Sequence, residues 1–85
     1  MGSILAFFKT DPNFQHFSFE NVSQDYPLIE KGILDSVSTF SLILFLEKQF
    51  GFRVEPQEVI EANFKNLLAI ERFVQRKTAA PHVEP

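Results

Sequence analysis

From Ser36 to Phe50 the apolar positions recur with a helical period. At about 100° per residue, Thr39, Leu42, Ile43, Leu46 and Phe50 share one face, which the spacing assigns to the core. Val37, Phe40 and Leu44 share a second face with Ser41 and Lys48, on the side of Ser36, and Phe45 lies between the two. A surface helix in a small bundle needs only one apolar stripe. Leaving Phe40 and Leu44 in water forgoes about 1.5–3 kcal/mol each, a large share of the ~5 kcal/mol that holds a small domain together. The second stripe therefore either packs within the chain, on a helix buried all round, or serves a partner. Asp35 is the predicted N-cap, its carboxylate taking amides of the first turn, and Gly51 is the predicted C-cap. Ser36 then occupies the first helical position. Its hydroxyl sits at the positive end of the helix dipole, a place suited to an anionic group such as a phosphate.

The flanking patterns predict three further helical segments. In residues 3–9, Ile4, Leu5 and Phe8 are able to share a face, and Asp11-Pro12 interrupts them. Proline inside a helix costs about 3 kcal/mol but is favoured just after an Asp cap, so the first helix is either short or broken, restarting at Pro12 and running to about Phe17. Residues 19–31 read as a long loop with Asn21, Ser23, Asp25 and Pro27 as turn formers and Val22, Leu28 and Ile29 as its anchors. Phe52 and Val54 tuck in a second loop. Pro56 opens a short helix over about 56–61 that includes Val59 and Ile60. Asn66 caps a last helix running to about Lys77, with Leu67, Ile70, Phe73 and Val74 inward and Arg76 and Lys77 at its negative end. No strand alternation and no repeat occurs. The expected fold is all-α: a small four-helix bundle of three long helices and one short one, in a single domain over 1–77, with 78–85 as a disordered tail.

Composition narrows the function classes. The chain has 85 residues, enough for one small core burying about 60–65% of the unfolded surface. A net charge of −3 argues against nucleic acid as a partner. There is no cysteine, hence no disulfide, no thiolate metal site and no thiol nucleophile, which fits the cytoplasm. No segment reaches the ~18 apolar residues of a membrane span. Eleven phenylalanines stand beside no tryptophan, and Phe7, Phe8, Phe14, Phe17 and Phe19 crowd the beginning of the chain. They either fill the core with bulk or line a pocket for an apolar chain.

Enzymatic chemistry finds little footing. Ser36 as a nucleophile needs an adjacent base. The histidines are His16, in the interrupted first segment, and His82, in the tail, while Asp35 serves as the cap. Without a base the hydroxyl is inert in this chain, and only another enzyme can modify it. A metal site at His16, Glu20 and Asp11 falls short of a ligand set, and no glycine-rich phosphate loop exists. Lys65, Arg72, Arg76 and Lys77 give the last helix a basic, solvated side, offset by Glu61 and Glu71.

The run from Leu28 to Val74 resembles the acyl carrier protein family. The resemblance rests on Asp35-Ser36 with Gly32 three residues upstream, the FLEKQFG helix end, the VEPQEV segment and the NFKNLLAIERFV final helix. In that family the second helix of a four-helix bundle begins at an Asp-Ser-Leu motif, and Val37 here replaces the leucine. The resemblance implies that the chain is no enzyme and that Ser36 carries 4′-phosphopantetheine, taken from coenzyme A by a phosphopantetheinyl transferase. The thiol of that arm would hold an acyl or aminoacyl thioester. An acyl-activating ligase or acyltransferase would load it, and a synthase or transferase of a fatty-acid, polyketide or specialised pathway would consume it. The carrier is expected to be a cytoplasmic monomer. Its expected partner face is Val37, Phe40, Ser41, Leu44, Glu47 and Lys48. Many carriers have acidic residues where this chain has Ser38 and Ser41, so docking should depend less on charge and more on Val37, Phe40 and Leu44, with a dedicated set of partners. The alternative is a carrier-shaped adaptor that binds a protein through Val37, Phe40 and Leu44 and bears no arm.

Overall fold

A computed structural model of the chain describes residues 2–20 and 22–79. Within them the fold is all-helical, with no strand among the described residues. Helix α1 spans Gly2–Thr10, α2 Ser36–Phe50, α3 Glu61–Phe64 and α4 Leu67–Ala79, and 3-10 turns form at Pro12–Phe14 and Pro56–Glu58. Helices α1, α2 and α4 pack against one another, and α3 leans on α4.

The first segment is broken. Ile4 and Phe8, one turn apart, are buried, and α1 stops at Thr10 because Pro12 has no N–H with which to continue the ladder. The Asp11 carboxylate accepts from the Asn13 amide (3.1 Å) and caps a single 3-10 turn. That turn ends at Phe14, short of the expected Phe17, and it swings the Phe14 ring inward. Phe8 meets Phe14 at 4.7 Å and Phe19 at 4.9 Å between ring centres, and Phe7 stacks on Phe45 of α2 at 4.4 Å. Offset and edge-on aromatic pairs of this kind fill volume without exposing ring faces. The early phenylalanines thus serve as core.

The long first loop is ordered by backbone bonds more than by side chains. Leu28 is fully buried and its amide donates to the Lys65 carbonyl (2.7 Å), while the Leu68 amide donates to the Gln24 carbonyl (3.1 Å). Of the other expected anchors, Val22 and Ile29 are half-buried, and Ile33 and Leu34 are buried in addition. Asn21 lies outside the described residues.

In α2, Leu42 and Leu46 are fully buried and Thr39, Ile43 and Phe50 half-buried, as the periodicity assigns them. Gly51 ends the helix at φ 73°, with its amide on the Glu47 carbonyl (3.0 Å). A Cβ there would meet nothing within 4 Å, so Gly51→Ala carries only the left-handed backbone penalty. It should destabilise the fold by about 1 kcal/mol in a denaturant melt.

The short helix expected over 56–61 does not form as one piece. The carbonyl of Glu58 accepts from Asn63 Nδ2 (2.8 Å), and its carboxylate accepts from the Glu55 amide (2.8 Å) and from Lys77 (3.0 Å). These partners end the turn at Glu58. Ile60, β-branched and extended at φ −128° and ψ 157°, precedes the single turn of α3. Asn66 caps α4 through its side-chain oxygen on the Ala69 amide (2.7 Å), and Leu67, Ile70, Phe73 and Val74 are its buried face. Helix α4 extends two residues beyond the predicted Lys77, taking in Thr78 and Ala79, which the sequence assigned to a disordered tail. The rest of that tail, with His82, lies outside the described residues.

Candidate functional site

The start of α2 is built by a reciprocal cap. Asp35 Oδ1 accepts from the Ser38 amide and from the Ser38 hydroxyl, both at 2.9 Å, and Ser38 Oγ accepts from the Asp35 amide at 2.9 Å. This is a capping box in which serine stands where glutamate or glutamine is usual. The Ser38 amide and hydroxyl together hold the Asp35 carboxyl below the usual carboxylate range, with a smaller contribution from the Val37 amide. Ser38, where many carriers have an acidic residue, is 4% exposed, its side chain taken up by the cap.

A group whose folded pKa is depressed stabilises the fold above its ordinary pKa, and that contribution is lost as pH falls through the folded value. Asp35→Asn keeps a good capping oxygen but cannot titrate. The wild type should therefore melt higher than Asp35→Asn at pH 7, and the difference should shrink as pH falls from about 5 towards 2. Circular dichroism melts across that range measure it.

Next to the cap, Ser36 is exposed, and no described residue hydrogen-bonds to its hydroxyl. It lines a groove of about 550 Å³. Thr39, Phe40 and Ile43 of α2 form one wall, and Val59, Ile60 and Phe64 form the other. Ile29 and Leu34 close the end near the first loop, so the lining is almost wholly apolar beyond Asp35, Ser36 and Glu61. No described histidine lines the groove, and its carboxylates are Asp35, committed to the cap, and Glu61 on the opposite wall. None of the five early phenylalanines lines it either. Among the described residues no group of three or more His, Cys, Asp or Glu side chains converges to hold a metal. Among the described residues no helix is long and apolar enough to cross a membrane.

The second stripe of α2 faces solvent: Val37 is 68% exposed, Phe40 61% and Leu44 50%. The other residues expected on this face divide. Lys48 is exposed, but Ser41 is half-buried and accepts from Asn13 Nδ2 at 2.9 Å, which ties it to the 3-10 turn after α1. Glu47 directs its carboxylate to the Val54 amide (2.8 Å) and serves the second loop. The groove itself was not foreseen. Its far wall comes from Val59 and Ile60, two adjacent apolar residues that remain 43% and 51% exposed. That pair, flanked by charged residues, was the available signal.

The chain is 32% identical over 62 residues to a protein described as "probable acyl carrier protein PigG" from a Serratia species, an alignment spanning 73% of this chain and 71% of the relative. Its backbone superposes with a TM-score of 0.72 and 25% identity on a chain from a crystal structure described as that of an FAD-dependent dehydrogenase. That match covers 84% of this chain and 97% of the other, so the two chains are of similar length. No family model matches the sequence.

Proposed function

The chain belongs to the acyl carrier protein family, and we propose that it works as a free-standing carrier whose Ser36 hydroxyl bears a 4′-phosphopantetheine arm. What supports this most is the combination at the head of α2: an exposed, unbonded hydroxyl in the first turn of a capped helix, lining an apolar groove. When attached, the arm supplies a thiol that holds an acyl or aminoacyl cargo as a thioester. The residues present suit such a group. Asp35 and Ser38 fix the first turn, so that Ser36 is offered to solvent in one orientation. The chain leaves proton removal from Ser36 to the enzyme that attaches the arm, since the Asp35 carboxylate is engaged by the Ser38 amide and hydroxyl of its own turn.

The partners we assign are a phosphopantetheinyl transferase, a ligase or acyltransferase that loads the cargo, and synthases or transferases that consume it. The exposed strip of Val37, Phe40 and Leu44 is the docking face in this reading, and Lys48 is its one exposed charge. The carrier domain spans 1–77, with α4 running on to Ala79, acts as a monomer, and works in the cytoplasm, where coenzyme A is at hand.

The same strip supports a second reading, an adaptor that never bears an arm. Co-expression with a broad-specificity phosphopantetheinyl transferase followed by intact mass spectrometry separates the two. The carrier gains one phosphopantetheinyl group. A mass left unchanged by several transferases overturns the carrier reading and leaves the adaptor.

A further inference from the structure

Helix α3 borders two depressions. Its Glu61 and Phe64 line the groove at Ser36, and its Ala62, followed by Lys65, lines a second concavity of about 200 Å³ against α4. Lys65, Arg72 and Arg76 surround this concavity, with Ala62, Leu68 and Ala69 between them. Ala69, Arg72 and Arg76 follow one helical row of α4, and Lys65 continues it beyond the helix start. The small side chain of Ala69 leaves the space into which the cations converge.

No residue lining the cleft is a carboxylate. The nearby Glu58 is occupied, because both of its oxygens accept from Lys77 at 3.0 Å. Arg76 donates instead to the amide oxygen of Asn63 (2.7 Å), a neutral acceptor that orients the guanidinium, and its charge reaches Glu58 only at longer range, as a smaller influence than Lys77. Its guanidinium carbon also lies 5.7 Å from the centre of the Phe73 ring. Among the described residues, none of Lys65, Arg72 and Arg76 forms an ion pair with a carboxylate. Four of the eight basic residues of an acidic chain fall between positions 65 and 77, and three of them meet here. The exposed face of α2 offers apolar contact and Lys48, while Glu47 is turned to the second loop.

We propose that this cleft is a second docking contact, which takes an acidic segment of an enzyme that acts at Ser36. The inference rests on the carrier reading above. Such an enzyme holds α3 from both sides, with its active-site mouth at the groove and its carboxylates in the cleft. Two guanidinium groups can donate paired hydrogen bonds to carboxylates, and opposite charge speeds the encounter.

The test titrates the ¹⁵N-labelled chain, without an arm, with a deca-glutamate peptide at about 50 mM and about 300 mM salt. Shifts are expected at the amides of Lys65, Ala69, Arg72 and Arg76, with affinity about fivefold weaker at the higher salt. Arg72→Glu/Arg76→Glu should weaken binding at least as much with an unchanged circular dichroism spectrum. If that variant is poorly folded, Arg72→Gln takes its place and should bind about twofold more weakly. Absent shifts, shifts spread over Lys9, Lys31, Lys48 and Arg53, or equal binding by the folded variant overturn the proposal. Arm loading is read separately by mass. A loaded chain that ignores the peptide removes the cleft alone, whereas an unloadable chain that binds it there removes the carrier reading alone.

Discussion

Ser36→Ala is expected to abolish the mass gain produced by a phosphopantetheinyl transferase, with the wild type loaded to completion under the same conditions. The thermal midpoint of the variant should stay within about 4 °C of the wild type. The second half makes the result interpretable. Ser36 is exposed, its hydroxyl bonds to no described residue, and it occupies a helical position that alanine tolerates well. The cap that holds the first turn runs between Asp35 and Ser38 and passes Ser36 by. Loss of loading with the fold kept therefore isolates the hydroxyl. Loading that persists in Ser36→Ala places the arm on another residue and overturns the assignment.

Phe8→Ala should have the largest effect on stability. Phe8 is fully buried on α1 and meets the rings of Phe7, Phe14 and Phe19. Removing a buried phenylalanine ring costs about 3–5 kcal/mol, comparable with the whole stability of a small domain. The midpoint should fall by at least about 15 °C, or the variant should be unfolded at room temperature. Phe40→Ala is the matched control: the same atoms are removed from a ring that is 61% exposed. Its midpoint should move by no more than about 4 °C. Equal losses in the two variants would mean that Phe40 packs within the fold and is no docking residue.

The parts of this fold that the sequence disclosed are those set by contacts between near neighbours. The two faces of α2 follow from residues three and four apart, and its ends follow from Asp35 and Gly51. The buried face of α4, Leu67, Ile70, Phe73 and Val74, follows in the same way. What stayed hidden depends on partners distant in sequence. The 3-10 turn after Pro56 ends at Glu58, whose carbonyl accepts from Asn63 and whose carboxylate meets Lys77, nineteen residues away, a bond with no local signature. Pro12 announced an interruption, but the place where the chain turns inward was fixed by Phe14 finding Phe8 and Phe19. Ser38 shows how a position with a familiar surface role is reassigned. A side chain three residues after an Asp cap has a local use, and here that use prevails over solvent. The groove at Ser36 is likewise a product of tertiary packing, since Val59 and Ile60 reach it from a segment that reads as an ordinary short helix.

The main-chain bonds Leu28 to Lys65 and Leu68 to Gln24 bear on how this architecture tolerates change. A clasp made of amides and carbonyls is indifferent to which side chains border it, so Asp25 is free to drift in identity, whereas Tyr26, packed on Phe17, and the buried Leu28 are not. The length of the stretch between Gln24 and Leu28 is another matter. Dropping or adding one residue there would leave the clasp out of register and pull Ile33, Leu34 and the cap with it, so indels should be purged from this stretch far more strictly than substitutions.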